Sequence, residues 1–362
     1  MIIASNEFNN ILVKNLFGLM IKMCVIFLIN PTKYVKCARI GDLLPAEKAM
    51  GINLKLQRMC NSLTLVDRCP NENITFWLHT RDSIEPYQLK ELSTNSFKKA
   101  PFFPKVPIKI LVHGYAGNKH GTPNLELKPG SFGNITIRCG NVEFVEYLKK
   151  GYNVISMDYG PVVKHPCNLQ CVRNLDVAGK CLANFIRTLL RKKIKRRKCK
   201  IKRSDIHLLG FGIGAQVAAK AAESIKKTVG SLPRVTALDP ALPLFYGVKP
   251  SLSKKIADFV DVIHTATVLY AYLAPSGHSD YFVNTAICQG ECTVTVSCTR
   301  GMSAVYYAES INGEGQFCGF DLFVSGNRVA MGEKATKNVT GSFGVFTNPT
   351  SPYARGCHEV DR

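Results

Sequence analysis

The stretch IHLLGFGIGAQV, residues 206–217, determines how the rest of the chain is interpreted. Its apolar first half predicts a buried strand, its closely spaced glycines predict a sharp turn, and the alanine-rich residues that follow predict a helix to about Lys227. A strand, a sharp turn and a helix in this order form the frame of a nucleophile elbow, G-x-S-x-G, which raises one side chain above a sheet. The middle position of that frame is Gly212, which has no side chain.

Further apolar runs extend the same pattern on both sides of the elbow. Short apolar strands that alternate with helices indicate an α/β protein with a mainly parallel sheet flanked by helices. We predict strands at 74–80 (an edge strand), 108–113 (stopping at Gly114), 153–158, 234–240 and 259–265, and helices at 142–150 and 175–191.

The loops after these strands carry polar and glycine residues. In parallel sheets the functional groups lie on loops at the carboxyl ends of the strands. The residues predicted at those ends are Tyr115, Asp158, Gly212, Asp239 and His264.

The composition describes a basic, cysteine-rich globular chain. Its 362 residues suffice for one large domain or two modest ones, and an apolar fraction of 46% argues against global disorder. The net charge of +21 favours acidic partners or surfaces. Fourteen cysteines, with N-x-S/T glycosylation sites at Asn73, Asn134 and Asn338, favour an oxidised, secreted protein. No cysteine pair has a second pair at zinc-like spacing, so we expect neither a metal nor a cofactor.

Residues 1–37 are expected to precede the folded domain. The apolar segment 16–29 is shorter than the roughly 20 residues of a membrane-spanning helix, so we predict no stable span. Its apolar core after Lys22 is typical of a signal peptide cleaved before Ala38, and a disordered leader is the alternative. Residues 38–362 then form one domain, without a C-terminal β-sandwich.

The basic segment 191–203, RKKIKRRKCKIKR, has three interpretations. It is a solvated loop, or a site for heparan-type glycosaminoglycan or an anionic membrane surface. Nucleic acid is not expected, because no aromatic residues interleave the charges to stack on bases. The ten basic residues are Arg191, Lys192, Lys193, Lys195, Arg196, Arg197, Lys198, Lys200, Lys202 and Arg203.

Several segments recur together in the order seen in one known family. The chain between residues 69 and 356 resembles the pancreatic-lipase-like family, most of all its single-domain insect neutral lipases. The resemblance implies an α/β-hydrolase fold. The segments that carry it are ILVHGY at 110–115, DYGP at 158–161, LDPA at 238–241, the run 298–311 and TNPTSPYARG at 347–356.

The chemistry of that family uses Ser, Asp and His in chain order. Matching by position places the serine at Gly212, the aspartate at Asp239 and the histidine at Arg300. An arginine cannot serve as the general base because it does not deprotonate at any useful pH. The backbone N–H groups of Tyr115 and Ile213 are the expected oxyanion hole.

Several of these positions also have a structural interpretation. Asp239 persists either as a structural acceptor or as a partner of Arg300. We interpret His113, His264 and His278 as hydrogen-bonded scaffold. A relocated serine nucleophile is an alternative, although the chain has no second G-x-S-x-G.

The resemblance also implies two disulfides. In the family, a lid bounded by a disulfide precedes the histidine. The matching cysteine pair in this chain is Cys292 and Cys298, which encloses only five residues. Such a short lid resembles the phospholipase-type members and would not cover a large pocket. Cys167 with Cys181 is the second expected pair.

Three functions follow from the resemblance. The first is a secreted, catalytically inactive homologue that binds lipid or a hydrophobic ester. The second is an active carboxylic ester hydrolase, either a triacylglycerol lipase or a phospholipase A1. The third is a yolk-like storage or structural protein with no specific ligand. The fly yolk proteins, which resemble this family and also lack the serine, support the first function, that of an inactive homologue.

Overall fold

The computed structural model describes residues 59–83, 85–119, 142–192, 200–241, 249, 251–267, 274–287, 289–290, 292, 296–312, 316–322 and 328–357. The leader 1–37, Asn134 and the middle of the basic segment (Lys193, Lys195, Arg196, Arg197 and Lys198) lie outside these residues.

A single sheet of eleven strands runs through the described residues in the order β10-β9-β11-β8-β7-β6-β5-β3-β4-β1-β2. The seven strands from β11 to β4 are mutually parallel, whereas β1, β2, β9 and β10 join at the two sides through antiparallel pairs. The strands are β1 Thr75–His79, β2 Tyr87–Gln88, β3 Ile108–Val112, β4 Asn153–Asp158, β5 Ile206–Phe211, β6 Leu232–Leu238, β7 Ala257–His264, β8 Ser279–Val283, β9 Cys318–Asp321, β10 Arg328–Ala330 and β11 Gly341–Val345.

Helices cover both faces of this sheet, as expected for an α/β-hydrolase fold. Helices α4 and α5 pack on one face, and α2 and α6 pack on the other. The helices of the described residues are α1 Thr94–Lys99, α2 Val142–Lys149, α3 Asn168–Arg173, α4 Leu175–Arg191, α5 Ile213–Thr228 and α6 Val296–Asn312.

The central strands are buried on both faces, which explains their continuous apolar runs. In β5, Leu208 belongs to the core formed with α4 and α5, whereas its neighbour Leu209 belongs to the core formed with α6. Every residue of β5 is buried. The prediction of a mainly parallel α/β sheet is therefore confirmed, and the predicted helix at 175–191 has the bounds of α4.

Two sequence predictions about the sheet were wrong or incomplete. Strand β1 is not an edge strand, because the two-residue strand β2 pairs along its outer side. Strands β8 to β11 were not predicted. All four contain glycine or charged residues in runs of three to five residues, and neighbouring strands in the sheet stabilise runs that local propensity does not specify.

The expected disulfide between Cys167 and Cys181 is wrong. Cys167 is bonded to Cys60, and Cys181 is bonded to Cys69. The segment 59–70 lies along α3 and α4, where Asn174 accepts from the backbone N–H of Leu65 and so helps to hold both cysteines of that segment beside their partners. The remaining disulfides among the described residues are Cys292–Cys298 and Cys318–Cys357.

Of the helices that the structure describes, none has both the length and the apolar character needed to cross a membrane.

Candidate functional site

The elbow between β5 and α5 depends on two glycines for its shape. A Cβ at Gly214 would lie 2.3 Å from the carbonyl oxygen of His113, and one at Gly210 would lie 2.5 Å from the Cα of Ala215. Both distances are too short for any side chain unless the backbone moves. These glycines therefore permit the close approach of the helix to the strands.

Gly212 is different, because a Cβ at this position would make only ordinary van der Waals contacts. Its backbone has φ 56° and ψ −119°, a conformation that favours glycine, but a Cβ there would lie no closer than 3.4 Å to another side chain. Its N–H donates to the carbonyl of Leu238, and its carbonyl accepts from the N–H of Ala241. The elbow is thereby tied to the loop that follows β6.

Asp239 occupies that loop, one residue beyond β6, and is completely buried. Its φ of 41° lies in the left-handed region, which is uncommon for a residue with a side chain. Its carboxylate oxygen Oδ1 accepts from the backbone N–H groups of Thr265 (3.0 Å) and Ala266 (2.9 Å). Two backbone donors from the loop after β7 thus fix the position of the carboxylate.

The side chain of Arg300, from α6, reaches both of these positions. Its Nε lies 2.8 Å from Asp239 Oδ2, and its Nη2 donates to the backbone carbonyl of Asp239 at 2.9 Å. The same Nη2 is the atom 3.4 Å from the position of a Cβ on Gly212. The guanidinium therefore fills the space between the elbow and the buried carboxylate.

The contact between Arg300 and Asp239 is chiefly a charge interaction. Asp239 Oδ2 is buried and accepts no well-aligned hydrogen bond from the described residues, although Nε is only 2.8 Å away. The attraction between opposite charges depends on separation more than on the N–H direction, so the pair still neutralises the carboxylate.

His113, at the end of β3, is held as part of the scaffold. Its Nδ1 lies 2.9 Å from the carbonyl oxygen of Gly114, and its Nε2 accepts from the backbone N–H of Tyr159. The ring stacks on Tyr159, with 4.4 Å between centroids. Burial raises the pKa of the neighbouring Asp158, but the His113 imidazole, 3.7 Å from Oδ1, and the hydrogen bond from the N–H of Gly160 outweigh burial and leave that pKa below its usual value.

The other two histidines that the sequence placed in the scaffold also have fixed partners. His264 is completely buried, with Nε2 2.9 Å from Asp280 Oδ1 and its ring stacked on Phe282. His278 Nδ1 accepts from the backbone N–H of Val260. Neither contacts Gly212 or Arg300 through a hydrogen bond.

A small cleft lies beside the elbow, between β3, β4, β5 and β6. Phe211 and Leu238, which directly precede Gly212 and Asp239, belong to its wall. The wall is mainly apolar, with His113, Asn118 and Ser156 as its polar side chains. The apolar lining consists of Leu111, Val112, Met157, Leu209, Phe211 and Leu238.

The two residues predicted to supply an oxyanion hole follow β3 and the elbow, and neither is among the residues that line the cleft. Ile213 is the first residue of α5, so its N–H has no acceptor within the helix. Tyr115 follows β3, and its hydroxyl lies 3.3 Å from Nδ1 of His165. Cys292 and Cys298 form a disulfide two residues before Arg300, which ties the first turn of α6 to the preceding segment.

The described part of the basic segment lies away from this site. Arg191 and Lys192 end α4, and Lys200, Lys202 and Arg203 lead into β5. Arg203 donates to the carbonyl of Val229 and is therefore partly occupied by a structural contact. The remaining members of the predicted polyanion site lie outside the described residues.

Comparison with known proteins identifies the family. A family model described as Lipase matches residues 47–324. The chain belongs to the lipase family, and its curated relatives place it in the pancreatic-lipase-like group.

Individual relatives match the chain at modest identity. Lipase member H of Danio rerio is 28% identical over 56% of this chain and 42% of its own length. Pancreatic triacylglycerol lipase of Myocastor coypus is 25% identical over 68% of this chain and 54% of its own length. Probable phospholipase A1 magnifin of Vespa magnifica is 25% identical over 69% of this chain and 73% of its own length. The chain thus spans about half or less of the length of the first of these relatives.

Solved structures match less closely. The dienelactone hydrolase of Anabaena variabilis is 12% identical, with a TM-score of 0.29 over 44% of this chain and 63% of its own. At that TM-score the match adds nothing to the fold assignment, which follows from the strand order and the family.

Sequence reasoning missed the groups that hold Asp239 in place. Thr265 and Ala266 act through their backbone N–H groups, which every residue type provides, so the sequence carries no signal for them.

Sequence reasoning also missed a buried polar network at the opposite edge of the sheet. Lys109 Nζ lies 2.5 Å from Glu333 Oε1 and 3.0 Å from His207 Nδ1. Glu333 Oε2 accepts from the hydroxyls of Tyr147 and Tyr307. The available signal was a lysine in the middle of the apolar strand at 108–112, because a charge in a buried strand requires a partner.

Proposed function

We propose that this chain is a secreted, catalytically silent member of the lipase family that binds lipid or a hydrophobic ester without cleaving it. The observation that carries the proposal is the position of Arg300, whose guanidinium lies between Gly212 and Asp239. In this interpretation Gly212, Asp239 and Arg300 stand at the nucleophile, acid and base positions of the family.

Neither reacting group of a serine hydrolase is present at this position. Attack on an ester requires a hydroxyl, and Gly212 has none. Activation of a hydroxyl requires a base that accepts its proton, and a guanidinium is already fully protonated at neutral pH. Loss of either group lowers the rate of a related catalyst by about 10⁶-fold.

The carboxylate at the acid position, Asp239, has partners other than an imidazole. Asp239 Oδ1 accepts two backbone N–H groups, and Oδ2 faces the guanidinium of Arg300. In an active triad this carboxylate orients an imidazole. Here its partner is an arginine. The carboxylate therefore balances the charge of the guanidinium and does not orient an imidazole.

The features that would bind a substrate are retained. The elbow keeps its shape, the N–H of Ile213 remains at the start of α5, and an apolar cleft adjoins them. These features support binding of a lipid or a hydrophobic ester.

Secretion and glycosylation belong to the same proposal. Four disulfides among the described residues favour an oxidising compartment. Asn338 is exposed and Asn73 is half-buried, so both acceptors reach the surface. The basic segment is proposed as the contact with glycosaminoglycan or an anionic membrane surface.

Hydrolysis and binding should be measured on the same purified protein. We expect no hydrolysis of a short-chain chromogenic ester, an emulsified triacylglycerol or a phospholipid above the level of an Asp239→Ala variant. We also expect saturable binding of a single-chain lipid, reported by the fluorescence of Trp77, the chain's single tryptophan. Trp77 is paired in the sheet with Ser156, which lines the cleft.

Turnover that disappears in the Asp239→Ala variant would overturn the proposal. It would favour the second candidate, an active triacylglycerol lipase or phospholipase A1, which the names of the relatives support. Ser156 is the serine in the cleft wall, so a Ser156→Ala variant would then test it as a relocated nucleophile. Absence of both turnover and lipid binding would favour the storage protein.

A further inference from the structure

We propose that Gln289 is the positioning residue of the Asp239–Arg300 pair. Its side chain joins the loop whose backbone N–H groups hold Asp239 to helix α6, which carries Arg300. The role of Gln289 is to keep the guanidinium against the carboxylate. This inference rests on the positions that the proposed function assigns to Gly212, Asp239 and Arg300, and it gives them a supporting residue.

The amide of Gln289 is buried, and its hydrogen-bonding capacity is fully used. Only 1% of the residue is exposed. Its Nε2 donates to the backbone carbonyls of Thr265 and Val283, both at 2.9 Å. Its Oε1 accepts from Asn284 Nδ2 at 2.9 Å and from the Tyr306 hydroxyl at 3.0 Å. A side-chain amide has two donor hydrogens and two acceptor lone pairs, so these contacts fix the orientation of the side chain.

The hydrogen bond to Thr265 acts on the carboxylate of Asp239. Gln289 donates to the carbonyl of Thr265, and the N–H of Ala266 donates to Asp239 Oδ1 at 2.9 Å. That carbonyl and that N–H belong to one planar peptide unit and point in opposite directions. A hydrogen bond that holds the carbonyl therefore also fixes the direction in which the N–H meets the carboxylate.

The hydrogen bond from Tyr306 acts on Arg300. Tyr306 follows Arg300 on α6 and is itself buried. The backbone carbonyl of Gln289 also accepts from the N–H of Cys292 at 2.8 Å, and Cys292 is bonded to Cys298 at the start of α6. The helix is thus held to Gln289 both before and after the arginine.

The turn that precedes Gln289 is strained. The three residues directly after β8 have positive φ values, 48° at Asn284, 67° at Thr285 and 54° at Ala286. Side chains in this left-handed region cost free energy, and such strain persists at functional sites where surrounding contacts hold it in place. The carbonyl of Ala286 accepts from the N–H of Thr267 at 2.6 Å and from its hydroxyl at 2.7 Å. The strained turn therefore holds the same loop that fixes Asp239.

The experiment measures how firmly Arg300 is held, by its rate of labelling with phenylglyoxal and peptide mass spectrometry of the full-length protein. Gln289→Met keeps the side-chain volume but removes the four hydrogen bonds. We expect labelling of Arg300 to be at least about tenfold faster than in the wild type, because losing one or two net hydrogen bonds changes a local opening equilibrium by that factor. Gln170→Met, at a buried glutamine on α3, should leave the rate unchanged.

Arg234 distinguishes positioning from a general loosening of the fold. It is the matched internal reference, because its side chain is 14% exposed against 17% for Arg300, and its Nη2 lies 2.8 Å from the buried carboxylate of Asp261. In Gln289→Met the labelling of Arg234 should not change. Equal acceleration at the two arginines would overturn the proposal, because it would show that Gln289 only stabilises the fold.

Tyr306→Phe decides the question if Gln289→Met does not fold. It removes only the hydroxyl that joins α6 to Gln289. We expect several-fold faster labelling of Arg300. Tyr87→Phe, which removes a hydroxyl that donates to the carbonyl of Ser96, should have no effect. An unchanged rate at Arg300 in Tyr306→Phe would overturn the proposal.

A kinetic measurement separates this inference from the proposed function. In a Gly212→Ser, Arg300→His background, Gln289→Met should lower kcat on a short-chain ester at least about tenfold with KM unchanged, because a misplaced orienting group affects the transition state more than binding. A change in KM alone would overturn the positioning role. Ester hydrolysis by the wild type would overturn the proposed function, and absence of hydrolysis in the double variant would overturn its assignment of the catalytic positions. In both cases the labelling of Arg300 would still decide the role of Gln289.

Discussion

Arg300 Nε lies 2.8 Å from Asp239 Oδ2, and the aspartate is completely buried. A buried carboxylate without a countercharge is costly, so the position of this arginine has consequences for stability as well as for chemistry.

Replacing Arg300 with alanine should lower the free energy of unfolding by about 3 kcal/mol, the lower end of the range for breaking a buried pair. We expect the lower end because part of the arginine side chain is exposed. Urea denaturation measures the loss. Arg328→Ala, at an exposed position on β10, should change stability by no more than about 0.5 kcal/mol. Equal losses in the two variants would show that the pair does not stabilise the fold.

Restoring the two reacting groups together should restore hydrolysis. Gly212→Ser alone supplies a hydroxyl that faces a guanidinium, and Arg300→His alone supplies a base without a nucleophile. The double variant should hydrolyse a short-chain ester at least about 100-fold faster than the wild type, a small part of the roughly 10⁶-fold that such groups contribute. Activity in either single variant equal to that of the double would contradict the assignment of these positions.

The glycines of the elbow should differ sharply in their tolerance of a methyl group. Gly214→Ala places a Cβ 2.3 Å from the carbonyl of His113, so we expect a loss of about 3 kcal/mol or more, or failure to fold. Gly212→Ala adds only the strain of a positive φ, about 1–2 kcal/mol. Denaturation of the two purified variants tests this order. A larger loss at Gly212 would mean that the elbow is not packed as described.

Ionisation of Glu333 should make the free energy of unfolding depend on pH. Burial raises its pKa, but the charges of Lys109 and Arg234 outweigh burial and leave the pKa below the ordinary value of 4.5. The ionised form therefore stabilises the fold fully above about pH 4.5, and that contribution is lost as the pH falls through the lower folded value.

Glu333→Gln should be less stable than the wild type at pH 7, and the difference should shrink as the pH falls below about 4.5. Free energies of unfolding across this range provide the measurement, with Glu85→Gln at an exposed position as the control. A difference in the free energy of unfolding that stays constant with pH would show that ionisation of Glu333 does not contribute to the pH dependence of stability.

The basic segment should bind polyanions through its position and not only through its charge. Changing Arg191, Lys192, Lys200 and Lys202 to glutamine should lower the salt concentration that elutes the protein from heparin. The matched control changes Lys98, Lys99, Lys105 and Lys254, four exposed lysines elsewhere, and removes the same charge. Equal shifts in the two variants would favour a solvated loop.

The sequence by itself determined the strands and helices around the elbow. Apolar runs, glycine spacing and helical periodicity are local, and local patterns are sufficient where burial on both faces matches them. For this reason β5, Gly212 and α5 were predicted to within a residue or two.

The tertiary structure decided which distant groups meet. Arg300 reaches Asp239 because α6 packs against the sheet, Cys167 pairs with Cys60 because the segment 59–70 lies along α3 and α4, and Glu333 reaches Lys109 across 224 residues. No periodic pattern in the sequence predicts these contacts, because side chains far apart in the chain come together only when whole helices and strands pack. The same packing settled the question that the sequence left open, placing the guanidinium of Arg300 in the space between Gly212 and Asp239.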